Sequence, residues 1–161
     1  MDTTPKTTPF YDPDTGAAAT IIKGLLSSGK TELLLGYARE AVSGRPVLIV
    51  SNEVPENQIR KRLGETRGAA ITVVVDTTID EVISRLPAMA KEKTGFRGLL
   101  LVNGIDYFVT LPHRLQDAVL RLVNEAALYE VELVMTMQER RAERQPFNAP
   151  IEGVPVDLGE S

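Results

Sequence analysis

The chain alternates between short apolar runs and longer segments whose apolar residues recur at helical spacing. Residues 18–24, 46–52 and 71–76 are apolar and rich in β-branched side chains, a composition typical of strands that are buried on both faces of a parallel sheet. Residues 98–103 and 131–138 have the same character. The pattern therefore predicts five strands.

The segments between the predicted strands carry the apolar stripes of amphipathic helices. Three helices are predicted, one after Lys30, one over residues 54–63 and one after Thr78. The apolar stripe of a fourth consists of Leu115, Val119, Leu122, Val123 and Ala126. Strands that alternate with helices predict an α/β fold in which a mostly parallel sheet of about five strands has helices on both faces. Ligands of such folds bind beyond the carboxyl ends of the strands.

The two ends of the chain differ in composition from this alternating part. Residues 1–16 are rich in Thr, Pro and Asp, which predicts a flexible N-terminal arm because such a segment has little apolar surface to bury. Residues 146–161 contain three prolines and two glycines, and they are predicted to form an irregular tail. The folded domain is accordingly expected over residues 17–145.

The overall composition limits the kinds of protein that fit. A chain of 161 residues with 43% hydrophobic and 25% charged residues matches one globular domain. It has no apolar run long enough to span a membrane and no signal-peptide pattern, so we expect a cytoplasmic location without membrane partners. The absence of cysteine excludes disulfides and thiolate metal sites, and we therefore expect metal only together with a nucleotide.

The net charge of -4 argues against a broad nucleic-acid-binding surface. A local basic cluster, "ERRAERQ" at residues 139–145, is compatible with a limited contact to DNA or with a solvated loop. Any DNA contact is therefore expected to be local or to be made by an assembly.

One glycine-rich segment lies between the first predicted strand and the first predicted helix. It fits the phosphate-loop pattern G-x-x-x-x-G-K-[ST], in which backbone N–H groups surround phosphate oxygens, the lysine neutralises their charge and the threonine holds Mg²⁺. The position supports this interpretation, because the helix N-terminus must point at the phosphates. The residues predicted to bind ATP and its Mg²⁺ are Gly24, Ser27, Ser28, Gly29, Lys30, Thr31 and Glu32.

Polar side chains stand at the ends of three other predicted strands. Glu53 is predicted to end the second strand, Asn103 the fourth and Gln138 the fifth. Each of them alone is compatible with a strand that simply reaches solvent. Because functional groups of α/β proteins gather at the carboxyl ends of strands, their combination with a phosphate loop predicts one shared site.

These motifs together resemble a known family. The segment "IIKGLLSSGKTELLLGYAREAVSGRPVLIVSNEVPENQIRKRL" resembles the ATPase core of DnaB-type replicative helicases, within the RecA-like P-loop superfamily. "GFRGLLLVNGIDYF" resembles the Walker B segment of that family, and "YEVELVMTMQERRAERQP" resembles its later strand that ends in glutamine. The resemblance covers roughly residues 18–146 and implies a RecA-like core.

The resemblance also implies roles for individual residues. Glu53 would polarise the attacking water, Gln138 would sense the γ-phosphate, and Arg141 would contact the nucleotide of a neighbouring subunit, with Arg140 and Arg144 as alternatives. It further implies an ATPase that acts in DNA replication or recombination, as a homo-oligomer or associated with a ring. Single-stranded DNA or a replication protein would be its partner.

The sequence departs from the family at the expected Mg²⁺ position. The family's Walker B strand ends in aspartate, whereas Asn103 ends this strand, and Asp106 could replace it only through a tight turn after Asn103. Slow or absent hydrolysis is therefore expected. Compared with the helicases, the sequence resembles a minimal core without their partner domain and DNA-binding loops.

Two alternative functions follow from the same residues. One is an ATP-binding module with poor hydrolysis that docks on a helicase or on another ring. The other is a small-molecule phosphotransferase, which is disfavoured because no arginine-bearing lid follows the predicted core.

Overall fold

A computed structural model describes residues 4–26 and 28–139 as an α/β domain built on one six-stranded sheet. The strands are β1 Lys6–Tyr11, β2 Ala18–Gly24, β3 Pro46–Ser51, β4 Ala70–Val75, β5 Leu99–Asn103 and β6 Glu132–Gln138. The α-helices are α1 Lys30–Glu40, α2 Glu56–Leu63, α3 Ile79–Arg85, α4 Lys91–Thr94 and α5 Leu115–Leu128. Single 3₁₀ turns cover Leu86–Met89, Ile105–Phe108 and Pro112–Arg114.

The order of the strands across the sheet is β1-β2-β6-β5-β3-β4. All neighbouring pairs are parallel except β1 with β2. The register places Gly24 opposite Gln138 and Ser51 opposite Asn103. The carboxyl ends of four adjacent strands therefore meet at one edge of the sheet.

Helices cover both faces of the sheet, as the alternating pattern predicted. Leu101 of β5 packs on one face with residues of α1 and α2. The preceding residue, Leu100, packs on the other face with residues of α3 and α5. Both leucines are completely buried. Since successive strand residues point to opposite faces, a continuously apolar strand is required at this central position.

The sheet has one strand more than the sequence predicted. Residues 6–11, part of the segment expected to be a flexible arm, form β1 and pair antiparallel with β2, from Lys6 opposite Lys23 to Tyr11 opposite Ala18. Most side chains of β1 are exposed. The strand exists because its backbone satisfies the free edge of β2, and this tertiary pairing has no signature in a polar local sequence.

The turn that joins β1 to β2 is fixed by Asp12. Its carboxylate accepts hydrogen bonds from Asn124 Nδ2 at 2.9 Å and from the backbone N–H of Asp14 at 2.8 Å. These bonds, the one from Asn124 first, lower the pKa of Asp12 because they favour its charged form. The stability that they contribute is present above the ordinary pKa of aspartate and is lost on acidification.

The ends of α3 agree with the sequence. Thr78 caps the helix by accepting a hydrogen bond from the N–H of Glu81, and the Glu81 side chain reaches back to the N–H of Thr78. Pro87 lies in the 3₁₀ turn that follows the last residue of α3, because proline cannot continue the helical hydrogen-bond ladder.

The helices of residues 4–26 and 28–139 are all short, and none has the length and apolar character needed to cross a bilayer. The predicted irregular tail at 146–161 and the last residues of the predicted domain lie outside the described residues.

Candidate functional site

The phosphate-loop motif connects β2 to α1 at the carboxyl edge of the sheet. Gly29 precedes the helix in a left-handed conformation, with φ of 95°, and no side chain caps the helix there. A residue with a Cβ would be strained at that φ, which accounts for glycine. The first N–H groups of a helix have no partner within it, so this uncapped end is suited to receive an anion.

Close packing in the loop explains the first glycine of the motif. A Cβ on Gly24 would collide with Ser28 Oγ and would lie 3.1 Å from Pro5 Cβ. Ser28 Oγ itself is buried and has no hydrogen-bond partner among the described residues. A buried hydroxyl without a partner is costly, and a phosphate oxygen would satisfy it. Ser27, also predicted to bind nucleotide, lies outside the described residues.

The two charged residues that are predicted to bind the nucleotide, Lys30 and Glu32, point in different directions. Lys30 Nζ donates to the backbone oxygen of Leu25 at 2.8 Å, so its charge lies inside the loop. Glu32 is exposed, and its carboxylate forms ion pairs with Arg39 at 3.3 Å and Arg62 at 3.4 Å. The structure therefore places Lys30 in the loop and Glu32 on the surface between α1 and α2.

Asn103 is the centre of a buried network that joins four segments. Its Oδ1 accepts hydrogen bonds from Thr31 Oγ1 at 2.9 Å and Thr136 Oγ1 at 3.4 Å, and its Nδ2 donates to Ser51 Oγ at 3.2 Å. The residue is 1% exposed. The network brings the phosphate-loop threonine into contact with the end of β5.

Asp106, the other candidate for the Walker B position, has a different partner. Gly104 forms the tight turn, with φ of 76°, that the sequence required. The turn places Asp106 Oδ2 3.3 Å from the N–H of Gln138, and Asp106 Oδ1 is buried without a hydrogen-bond partner in the described part of the chain. Of the three predicted metal residues, the structure thus joins Thr31 to Asn103 by a hydrogen bond and bonds Asp106 to β6.

The residues of the loop fit the phosphates of a nucleotide better than they fit a tightly held Mg²⁺. The uncapped helix end, the unpartnered Ser28 hydroxyl and Lys30 are all complementary to phosphate oxygens. Thr31 donates its hydrogen bond to an amide oxygen and not to a carboxylate, and no group of three acidic or histidine residues suited to a metal occurs in residues 4–26 and 28–139. Mg²⁺ is usually held through one or two carboxylates.

Glu53 lies two residues beyond β3, in a loop that Ser51 organises. Ser51 Oγ accepts hydrogen bonds from the N–H of Glu53 at 3.2 Å and from that of Val54 at 3.0 Å. A Cβ on Gly104 would lie 2.9 Å from Glu53 Oε1, so the carboxylate approaches the turn after β5 closely. Glu53 is exposed, yet partial loss of hydration raises its pKa, while the Lys30 charge acts in the opposite direction.

Gln138 lies directly beside the phosphate loop. It pairs with Gly24 across the parallel strands β2 and β6, and the N–H of the next residue, Glu139, donates to the oxygen of Gly24 at 2.8 Å. The structure thus brings Gln138 to the start of the loop. Arg141 and residues 140–145 of the basic cluster lie outside the described residues.

The sequence analysis missed two residues of the site, Ser51 and Thr136. Both are buried, and Thr136 Oγ1 also accepts the N–H of Gly104 at 2.6 Å. The available signal was a small polar residue within an apolar strand. It could not be interpreted from the sequence because its meaning depends on which strands are neighbours.

Comparisons with known proteins do not assign the chain to a family. No protein-family model matches the chain, and a search of curated proteins gives no significant match. The functional interpretation consequently depends on the geometry of the loop and on the resemblance of its motifs.

The position of Ser51 leads to a prediction for stability. Ser51→Ala is expected to lower the free energy of unfolding by about 2 to 3 kcal/mol, because the N–H groups of Glu53 and Val54 and the amide of Asn103 lose their acceptor. Urea unfolding would measure the change. Ser84→Ala is the control, since its hydroxyl is exposed on α3, and an equal loss in both variants would contradict the assigned role.

Proposed function

We propose that this chain is an ATP-binding protein of the P-loop class, with a RecA-like core similar to that of DnaB-type helicases, and that it hydrolyses ATP slowly. The observation that carries the proposal is the hydrogen bond between Thr31 and Asn103. It joins the phosphate-loop threonine to the end of β5, two strands away from β2, where the resemblance expects the Mg²⁺ position. It does so through a neutral amide, where an efficient site would have a carboxylate.

The phosphates of ATP would be held by residues 24–31. Lys30 would exchange its 2.8 Å bond to the oxygen of Leu25 for a phosphate oxygen, and the hydroxyl of Ser28 would donate a hydrogen bond that it does not make to the described protein. The N-terminus of α1 would add its N–H groups and its dipole. The Ser28 hydroxyl and the N-terminus of α1 are in place before the ligand binds, which reduces the cost of binding.

Glu53 is the residue best placed to orient the attacking water. Its backbone is fixed by Ser51, and its carboxylate is exposed beside the turn after β5. A general base must be accessible to water and must be charged. Gln138 would respond to the γ-phosphate, because it pairs with Gly24 and so lies at the start of the phosphate loop.

Glu53→Gln is expected to lower ATP turnover about tenfold and to change the ATP affinity less than twofold, because the residue would contact water and not phosphate. Steady-state phosphate release and calorimetry would measure the two effects. Turnover of the wild type should fall as the pH drops through the raised pKa of Glu53, since only the charged carboxylate can act as a base. Unchanged hydrolysis in the variant would show that the role is wrong.

We further propose that the protein acts with single-stranded DNA or a replication protein in DNA replication or recombination, as a homo-oligomer or docked on a ring. Asn103 favours a role in which ATP binding, and not rapid turnover, provides the signal. The contact of Arg141 with the nucleotide of a neighbouring subunit stays a prediction.

A phosphate-release assay with and without single-stranded DNA tests these roles. Slow release that DNA stimulates supports the helicase-like ATPase, and ATP binding without release supports the docking module. Release or transfer that requires a small-molecule acceptor would support a phosphotransferase instead.

A further inference from the structure

We infer that this site binds its nucleotide without depending on a divalent cation, so that the affinity for ATP is nearly the same with Mg²⁺ and in the presence of a chelator. The inference rests on the proposed function, since it concerns how the same loop recognises the ligand. It identifies the phosphates of the nucleoside triphosphate, with or without a bound metal ion, as the groups that the loop recognises.

The first reason is that Asn103 has no capacity left for a metal. An amide oxygen has two lone pairs, and both neighbours of Oδ1, Thr31 and Thr136, donate to it. The amide nitrogen is a donor that cannot bind a cation, and it is engaged with Ser51. A cation or its bound water could reach this fully buried side chain only by breaking the network.

The second reason is that the network fixes Thr31 without a charge. The Thr31 hydroxyl donates a hydrogen bond to Asn103 Oδ1 at 2.9 Å and is therefore oriented before any ligand binds. One neutral hydroxyl attracts Mg²⁺ weakly, because this ion prefers carboxylates and phosphate oxygens and gives up its water reluctantly.

The third reason is the position of the nearest carboxylates. Asp106 is bonded to the N–H of Gln138, and Glu53 lies against Gly104 in the loop after β3. Neither makes a hydrogen bond to Thr31 in the structure. Glu53 is close enough to Lys30 for their charges to interact, so Lys30 offsets the charge of this carboxylate without a cation.

The test is to measure ATP affinity by calorimetry in Mg²⁺ and in EDTA for the wild type and two variants. For the wild type we expect the two dissociation constants to agree within about threefold. Asn103→Asp should bind at least about tenfold more weakly in EDTA than in Mg²⁺, because the new carboxylate repels phosphate unless a cation lies between them. Asp106→Asn tests the other candidate metal residue, and its ratio of dissociation constants should equal that of the wild type.

The outcomes separate this inference from the proposed function. A wild-type affinity that falls more than about tenfold in EDTA would overturn the inference while leaving ATP binding intact. Loss of Mg²⁺-dependent affinity in Asp106→Asn would also overturn it, because the metal would then be held at Asp106. Absence of ATP binding in both buffers would overturn the proposed function and the inference with it. The ratio of the wild-type dissociation constants in EDTA and in Mg²⁺ tests the inference even if Asn103→Asp does not fold.

Discussion

Lys30→Ala is expected to weaken ATP binding by about a hundredfold or more. Lys30 Nζ lies inside the phosphate loop, where it donates to the oxygen of Leu25 at 2.8 Å. A charge-assisted hydrogen bond to phosphate contributes about 1.5 to 3 kcal/mol, and removal of the charge also leaves the phosphates without local neutralisation. Calorimetric titration with ATP would measure the loss.

Lys23→Ala is the matched control for this experiment. Lys23 is exposed near the end of β2, one residue before the loop begins, so its removal changes the net charge equally without emptying the loop. We expect the affinity of this variant to stay within about twofold of the wild type. Equal affinities of wild type and Lys30→Ala would refute nucleotide binding at this loop.

Asn103→Asp is expected to raise ATP turnover in Mg²⁺ by about tenfold or more. The substitution places a carboxylate oxygen against Thr31 Oγ1, which is 2.9 Å from the present Oδ1. A hydroxyl and a carboxylate together form the kind of oxygen pair that holds Mg²⁺, and the metal stabilises charge on the transferred phosphoryl group. Steady-state phosphate release would measure the gain.

The same substitution should destabilise the protein without ligand. Asn103 is 1% exposed, and the new charge would lose its hydration there at a cost of several kcal/mol. Ser51 offsets part of this cost, because its hydroxyl can donate to the new oxygen where it now accepts from the amide. Melting temperatures with and without Mg-ATP would show the loss and its recovery.

Asp106→Asn is the comparison for turnover and is expected to have little effect. Its asparagine oxygen can still accept the N–H of Gln138, the bond that Asp106 makes in the structure. If Asp106→Asn removed activity while Asn103→Asp added none, Asp106 would be the metal ligand and the assignment of Asn103 would fail.

The regular elements could be predicted from the sequence because each of them is encoded locally. The five apolar runs became strands within one or two residues of the predicted bounds, and Asn103 ends β5 and Gln138 ends β6 as expected. Thr78 likewise marks the start of α3 through its capping hydrogen bond. Burial on both faces of a parallel sheet selects apolar β-branched runs, so periodicity alone was sufficient.

The features that could not be predicted depend on contacts between segments that are distant in the sequence. β1 could not be predicted because its polar side chains are exposed and its stability comes from pairing with β2. Ser51 and Thr136 gained their roles only when the order of the strands placed both beside Asn103. Glu32 directly follows the phosphate-loop pattern, yet its carboxylate forms ion pairs with Arg39 and Arg62 on the surface.

Both flanks of the folded chain lie against the same glycine. A Cβ on Gly24 would lie 3.2 Å from Pro5 Cα, and the oxygen of Gly24 accepts the N–H of Glu139. A segment joined before residue 4 or after residue 139 is therefore attached next to the phosphate loop, and any shift of the loop would pull on both attachments together. A single environment-sensitive fluorophore at position 4 or at position 139 would therefore report such a shift as a change in its emission when ATP is added.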